Sequence, residues 1–160
     1  MRKGLYGRKD RLIKTKRLDA YRRRKKLPDP TQCPSCGSVY ARGRWSWDKA
    51  PEDAHQASCP ACQRIADRYP AGLIEIEGPF FTEHREEILN LINNVETQEK
   101  GEHPLQRLME IRTEETRTVV TTTGVHIARR IGEALSRSYT GELNFEYGDA
   151  QKTIRVHWKR

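Results

Sequence analysis

All four cysteines of this 160-residue chain fall between positions 33 and 62, in two C-x-x-C pairs. Cys33-Pro34-Ser35-Cys36 is followed by a 22-residue excursion beginning at Gly37, and then by Cys59-Pro60-Ala61-Cys62. A C-x-x-C turn directs both sulfurs into one small volume. Two such turns facing each other place four thiolates at the corners of a tetrahedron, the arrangement Zn²⁺ takes with Zn–S bonds of about 2.3 Å. Gly37 follows the first pair, where a metal knuckle needs a residue free to adopt positive φ. The spacing predicts a structural zinc ribbon with Cys33, Cys36, Cys59 and Cys62 as ligands of one Zn²⁺.

Other cysteine chemistries fit less well. A thioredoxin-type redox motif uses one pair at the start of a helix, whereas here there are two pairs with prolines inside them. Two disulfides would suit an oxidising compartment, but the first residues are basic and lack the apolar region of a secretory signal. The expectation is a cytoplasmic chain with reduced thiols. A catalytic zinc keeps one position open for water, and four cysteines close the shell. His55, inside the excursion, reads as a surface or packing residue because the quartet is complete without it.

The second chemical feature is charge. The chain carries a net +8, yet residues 1–26 alone carry +11, so the remainder carries −3. The cations are Arg2, Lys3, Arg8, Lys9, Arg11, Lys14, Lys16, Arg17, Arg22, Arg23, Arg24, Lys25 and Lys26, against Asp10 and Asp19. So few apolar residues cannot offset the entropy of ordering, and an isolated arm is expected to be disordered. A phosphate lattice changes that balance. Each neutralised phosphate releases condensed counterions, which makes affinity steeply salt-dependent. Arginines fork onto phosphates or stack on bases, and Tyr6 and Tyr21 offer further stacking faces. A solvated tail and an acidic membrane surface are the alternatives. The second lacks a sustained amphipathic stripe. Arg42, Arg44, Trp45 and Trp47 in the cysteine excursion extend the set, since interleaved cations and aromatics suit unpaired bases. One of the two tryptophans is expected instead to lid the small ribbon core.

No catalytic constellation accompanies these features. Glu83, His84, Glu86 and Glu87 open a helix, where their charge suits the dipole. His126 and His157 are open to either a packing or an RNA-contact reading. No H-E-x-x-H, phosphate-binding glycine loop or G-x-S-x-G occurs. The chain is therefore expected to be a non-enzyme. A DNA-binding regulator and a zinc-dependent enzyme are the rival classes.

The elements that position these residues follow from composition and periodicity. Residues 1–30 form the basic arm and a linker stiffened by Pro28 and Pro30. Residues 31–70 form the zinc ribbon, with a strand or hairpin arm over 39–47, a loop or short helix over 51–57, and a helical turn over 62–69. Residues 71–160 form an α+β domain. Its first strand spans 73–77. A helix follows with Thr82 as N-cap and an apolar face of Ile88, Leu91, Ile92 and Val95, ending near Gly101. Strands follow at 105–113 and 118–122, joined by a turn at 113–116. A second helix carries Ile127, Ile131, Ala134 and Leu135. Leu143, Phe145 and Tyr147 alternate in a strand, Gly148 and Asp149 turn the chain, and Ile154, Val156 and Trp158 alternate in the last strand. The order β-α-β-β-α-β-β matches a ferredoxin-like sandwich in its first six elements, with the final strand extending the sheet or forming a hairpin.

The run Val119-Val120-Thr121-Thr122-Thr123-Gly124-Val125-His126-Ile127-Ala128-Arg129-Arg130-Ile131-Gly132, followed by Gly141-Glu142, resembles a segment of the zinc-ribbon nuclear export adaptors of the large ribosomal subunit, in their archaeal form. In that family C-x-x-C pairs also precede an α+β unit whose second helix starts near a strand-Ser/Thr-x-x-His pattern. The resemblance covers about half of the chain. This sequence has one cysteine quartet where the family has two, and it adds the basic arm, so it looks like a bacterial relative. The resemblance implies a ribosome-associated role in biogenesis, stress or hibernation, with ribosomal RNA as partner and ribosomal proteins as contacts of the α+β domain.

Overall fold

The computed structural model describes residues 20, 21, 26–148 and 152–160. They form a mixed α+β structure with two sheets. The small sheet belongs to the cysteine region. Strands β1 (Thr31–Gln32), β2 (Val39–Ala41), β3 (Arg44–Ser46) and β4 (His55–Gln56) lie in the order β3-β2-β1-β4. The expected arm over 39–47 is a hairpin, β2 pairing antiparallel with β3 through Tyr40 opposite Trp45. The 51–57 stretch contains β4, parallel to β1, and not a helix. Helix α1 spans Pro60–Asp67, so it begins inside the second cysteine pair. Pro60 occupies its first position, where a missing N–H is harmless.

The larger unit comprises β5 (Gly72–Glu77), α2 (Pro79–Glu83), α3 (Arg85–Glu102), β6 (Leu108–Thr113), β7 (Arg117–Thr122), α4 (Val125–Tyr139), β8 (Glu142–Tyr147) and β9 (Ile154–Lys159). The expected single helix after β5 is divided. Gly78, with φ 112°, turns the chain against the backbone of Arg160, and Pro79 starts the short α2. Thr82 lies inside α2 and returns its hydroxyl to the Gly78 carbonyl, so it is not the N-cap.

The sheet order is β6-β7-β5-β9-β8. The hairpin partners β6 and β7 and the antiparallel β5–β7 pair agree with a ferredoxin-like plan, but the far side differs. That plan would place β8 beside β5. Here β9 lies parallel to β5 and pushes β8 to the edge. Burial follows the exchange. Ile154, Val156 and Trp158 of β9 are buried, whereas Leu143, Phe145 and Tyr147 of β8 are only partly so. Each strand carries three alternating apolar residues, and the interior one buries them more completely.

One face of this sheet packs on α3 and α4. Ile74 and Ile76, Val120, Val156 and Trp158 meet Ile88, Ile92, Ile127, Ile131 and Leu135 in one apolar cluster. Trp158 is fully buried, and its indole N–H donates to the Thr140 carbonyl at 2.7 Å. The other face carries β5 and β9 residues in ion pairs, such as Glu75 with Arg117 at 3.3 Å and Glu77 with His157 at 3.0 Å. Among the described residues no helix is long and apolar enough to cross a membrane.

Trp158→Ala removes the largest fully buried side chain and is expected to cost about 3–5 kcal/mol of folding stability, read from urea unfolding of the metal-loaded chain. Gly72→Ala should also destabilise, since a Cβ there would lie 2.2 Å from Thr122 Oγ1 and 2.6 Å from Ala128 Cβ.

Candidate metal centre

Local backbone bonds shape both cysteine turns. In the first, the Cys33 N–H donates to Ser38 O at 2.8 Å and the Gly37 N–H to Cys33 O at 2.9 Å. Gly37 takes φ 80°, as the knuckle reading requires. In the second, Cys59 caps α1, its sulfur accepting from the Cys62 N–H at 3.3 Å. The four sulfurs consequently converge, all within 4.8 Å of one another. Cys36 and Cys59 Sγ lie 3.8 Å apart. A tetrahedron with metal–sulfur arms of about 2.3 Å has edges of about 3.8 Å, so the cluster has the dimensions of a four-thiolate site for an ion such as zinc.

A buried cation completes the argument. Arg107, only 6% exposed, reaches into the cluster from the loop before β6. Its Nη2 donates to Cys36 Sγ at 3.0 Å and to Cys59 Sγ at 3.5 Å, and Nη1 donates to Cys62 Sγ at 3.3 Å. Its Nε donates to the Pro104 carbonyl at 2.7 Å. No carboxylate pairs with it among the described residues. A guanidinium removed from water without counter-charge costs several kcal/mol. Here only the sulfurs supply that charge, so the donor set fits a metal–tetrathiolate, which carries a net −2 around a divalent ion.

As free thiols the cysteines are not equivalent. Burial pushes the Cys36 thiol up, but hydrogen bonds from the Ser38 side chain and backbone and from Arg107 outweigh it and bring it down to about 6. Burial pushes Cys62 up to about 12, against the pull of Arg107, and pushes Cys59 up as well. Burial opposes the charge of Arg107, yet its bonds to Cys62 and Cys36 raise its pKa.

Arg107 also joins the two units. Its backbone N–H donates to Thr123 Oγ1 at 2.9 Å, and the Thr123 N–H returns to Arg107 O at 2.9 Å. Trp47 donates its indole N–H to Lys100 O at 2.7 Å, at the end of α3. Trp45 packs on the cysteine cluster together with Leu105 and contacts Tyr40 at 5.6 Å. Trp45 is therefore the expected lid, and Trp47 is a strut to the α+β unit. Sequence reasoning missed Arg107, which stands in what reads as an ordinary strand.

The remaining residues singled out from sequence are placed as follows. Arg2, Lys3, Tyr6, Arg8, Lys9, Arg11, Lys14, Lys16, Arg17, Arg22, Arg23, Arg24 and Lys25 lie outside the described residues, as does part of the turn expected at Gly148 and Asp149. Lys26 is exposed. Tyr21 donates to Asp67 at 2.9 Å, and its ring lies beneath the Arg64 guanidinium at 4.4 Å, against α1. Arg42 and Arg44 are exposed at the β2–β3 turn. His55 is exposed in β4 and outside the quartet. His126 meets the buried Glu99 at 3.0 Å, and His157 meets Glu77.

The metal centre yields two expectations. Arg107→Leu should speed zinc extraction by a chelator about 10- to 100-fold, with Arg107→Lys between it and the native chain, because outer-shell donors hold ligands in place. Zinc uptake at pH 7 should release protons from Cys59 and Cys62, both raised, and few from Cys36, already near its ionised range. Affinity should accordingly fall as pH falls, more steeply below about 6, where Cys36 also takes up a proton. Zinc titrations across pH, with a proton indicator, read both.

No protein-family model matches the chain, and comparisons with curated proteins and with solved structures find no significant match.

Proposed function

We propose that this chain is a non-enzymatic, RNA-binding zinc-ribbon protein that works on the ribosome in the cytoplasm, during assembly, stress or hibernation. The observation that carries the reading is the segregation of charge: +11 in residues 1–26 against −3 in the rest. A polycation that dense is matched by a polyanion, and arginine-rich segments order along RNA by neutralising phosphates. The four-cysteine cluster supports zinc as the resident ion. Four thiolates leave it no open position, so its role is to hold a rigid block and not to activate water. The arm lies along ribosomal RNA, and the α+β unit adds contacts to RNA or ribosomal proteins. The strand-to-helix run 119–132 supports kinship with the large-subunit export adaptors.

Deleting residues 1–26 should remove most RNA affinity while the body keeps its metal and fold. For single-stranded RNA each lost phosphate contact should reduce the slope of log affinity against log salt by about 0.7. Gradient co-sedimentation of the full and shortened chains with ribosomes gives the direct check. Unchanged co-sedimentation contradicts the reading, and a preference for duplex DNA of equal length selects the regulator class instead.

A further inference from the structure

A groove follows the seam between the cysteine unit and the α+β unit. It consists of two cavities that share Leu105, Gln106 and His126. The first, of about 330 Å³, is walled by Trp45, His103 and His126. The second, of about 390 Å³, continues past the start of α4 to Arg64, Arg129, Tyr147 and Lys152. Each is within the range of about 300–1,000 Å³ typical of ligand sites.

The lining has a consistent chemistry. Arg129 and Lys152 contribute cations with the buried Arg64 behind them, and among the described residues no Asp or Glu lines either cavity. Outside the arm the chain is net acidic, so a wall without carboxylates concentrates positive potential locally. Arg129 pairs with Glu133 at 3.1 Å and His126 with Glu99 at 3.0 Å, but neither acid faces the groove. Most of the aromatic surface gathers in the first cavity and the cations in the second. Trp45 stands at one end and Tyr147 at the other, and the His103 and His126 rings lie edge to face at 5.9 Å between them. Gln106 adds a polar edge where the cavities meet. Its Oε1 accepts from the Ile127 N–H at 3.0 Å, which fixes the side chain there. A ring-lined space that opens onto a cationic one suits single-stranded nucleic acid, bases stacking in the first and phosphates tracking the second.

Arg64 links the groove to the arm. It lines the second cavity, and its guanidinium covers the ring of Tyr21, which is tied to α1 through Asp67. Tyr21 therefore lies against the residue at the groove's edge. We propose that the seam groove takes unpaired nucleotides of the same RNA that the arm holds, bases against Trp45 and the two histidines, phosphates toward Arg129 and Lys152. The inference rests on the RNA reading above and names where that RNA is read.

The test uses the full, zinc-loaded chain and three labelled probes at physiological salt: a mixed-sequence 12-nucleotide single-stranded RNA, an RNA duplex and the matching single-stranded DNA. His103 and His126 are 58% and 54% exposed, and Glu99 keeps its bond from Arg130 Nε at 3.0 Å when His126 is removed, so His103→Ala with His126→Ala spares the apolar core. This double variant should bind single-stranded RNA about tenfold more weakly and duplex RNA unchanged. Arg129→Gln with Lys152→Gln should flatten the salt slope for single-stranded RNA by about 1.4, two phosphate contacts' worth. Should the histidine variant lose its fold, the second pair decides alone. RNA bound equally well by native chain and both variants overturns the groove and leaves the arm's role standing. Failure of the native chain to bind any RNA overturns the RNA reading and the groove with it. Single-stranded DNA held as tightly as RNA, with the same loss in the variants, overturns the assignment of RNA as occupant.

Discussion

The rest of the structure depends on one electrostatic requirement: the buried guanidinium of Arg107 must face anions, and the cysteine sulfurs are the ones it reaches. Arg107 stands 71 positions from Cys36 in the sequence, so satisfying it closes the chain over a long loop. The same residue fixes its backbone to Thr123, and Thr123 Oγ1 donates to Leu105 O at 2.6 Å. Gln106, between them, accepts from the Ile127 N–H at the start of α4. A short polar chain thus runs from the thiolates through residues 105–107 to the second long helix. Removing the sulfurs' charge would strand Arg107 in a low-dielectric site, and the seam would lose the contact that orders it.

That coupling explains why the two units are better treated as one body than as beads. Trp47 reaches Lys100, Leu105 packs on the cysteine cluster, and the cavities along the seam take their walls from both sides. The outer face of the large sheet behaves differently. Glu75 pairs with Arg117 and approaches Arg155 at 3.9 Å, and Glu77 pairs with His157. These cations are matched within the fold. Cationic surface with no acid among the described lining residues is found at the seam, where Arg64 covers the ring of Tyr21.

Much of this was legible from residue types and spacing, because the physics involved is local. Two C-x-x-C turns announce four convergent sulfurs, and alternation or 3.6-residue periodicity places β5, β7, β8, β9, α3 and α4. Spatial neighbours are a different matter. Both β8 and β9 alternate, and their order in the sheet follows from how completely each apolar set can be buried once the helices are in place. Leu105 and Gln106 read as the start of a strand, but their side chains serve the cysteine cluster and α4, and β6 begins only at Leu108. Arg107 carried no local signal, since an arginine beside apolar residues normally points to solvent. Gly78-Pro79 marked the turn that starts α2, but nothing local marked the break at His84, where φ is −114° and ψ 23° between α2 and α3.

The metal shell and the charge distribution also bear on each other. Three sulfurs already accept N–H bonds from Arg107, which draws charge from the thiolates and weakens them as nucleophiles. Cys33 and Cys59 are buried, and Cys36 and Cys62 are only partly covered. With an ion bound, four such thiolates would leave it no open coordination position. What it offers is stiffness at the base of the β2–β3 hairpin and α1, the two elements that present Trp45 and Arg64. Rigid walls matter for a flexible ligand, because a single strand loses its own conformational freedom on binding and gains least from a site that must order as well. An ion held by the four sulfurs would brace both walls of the seam at once, because the β2–β3 hairpin and α1 each carry a cysteine turn at their base.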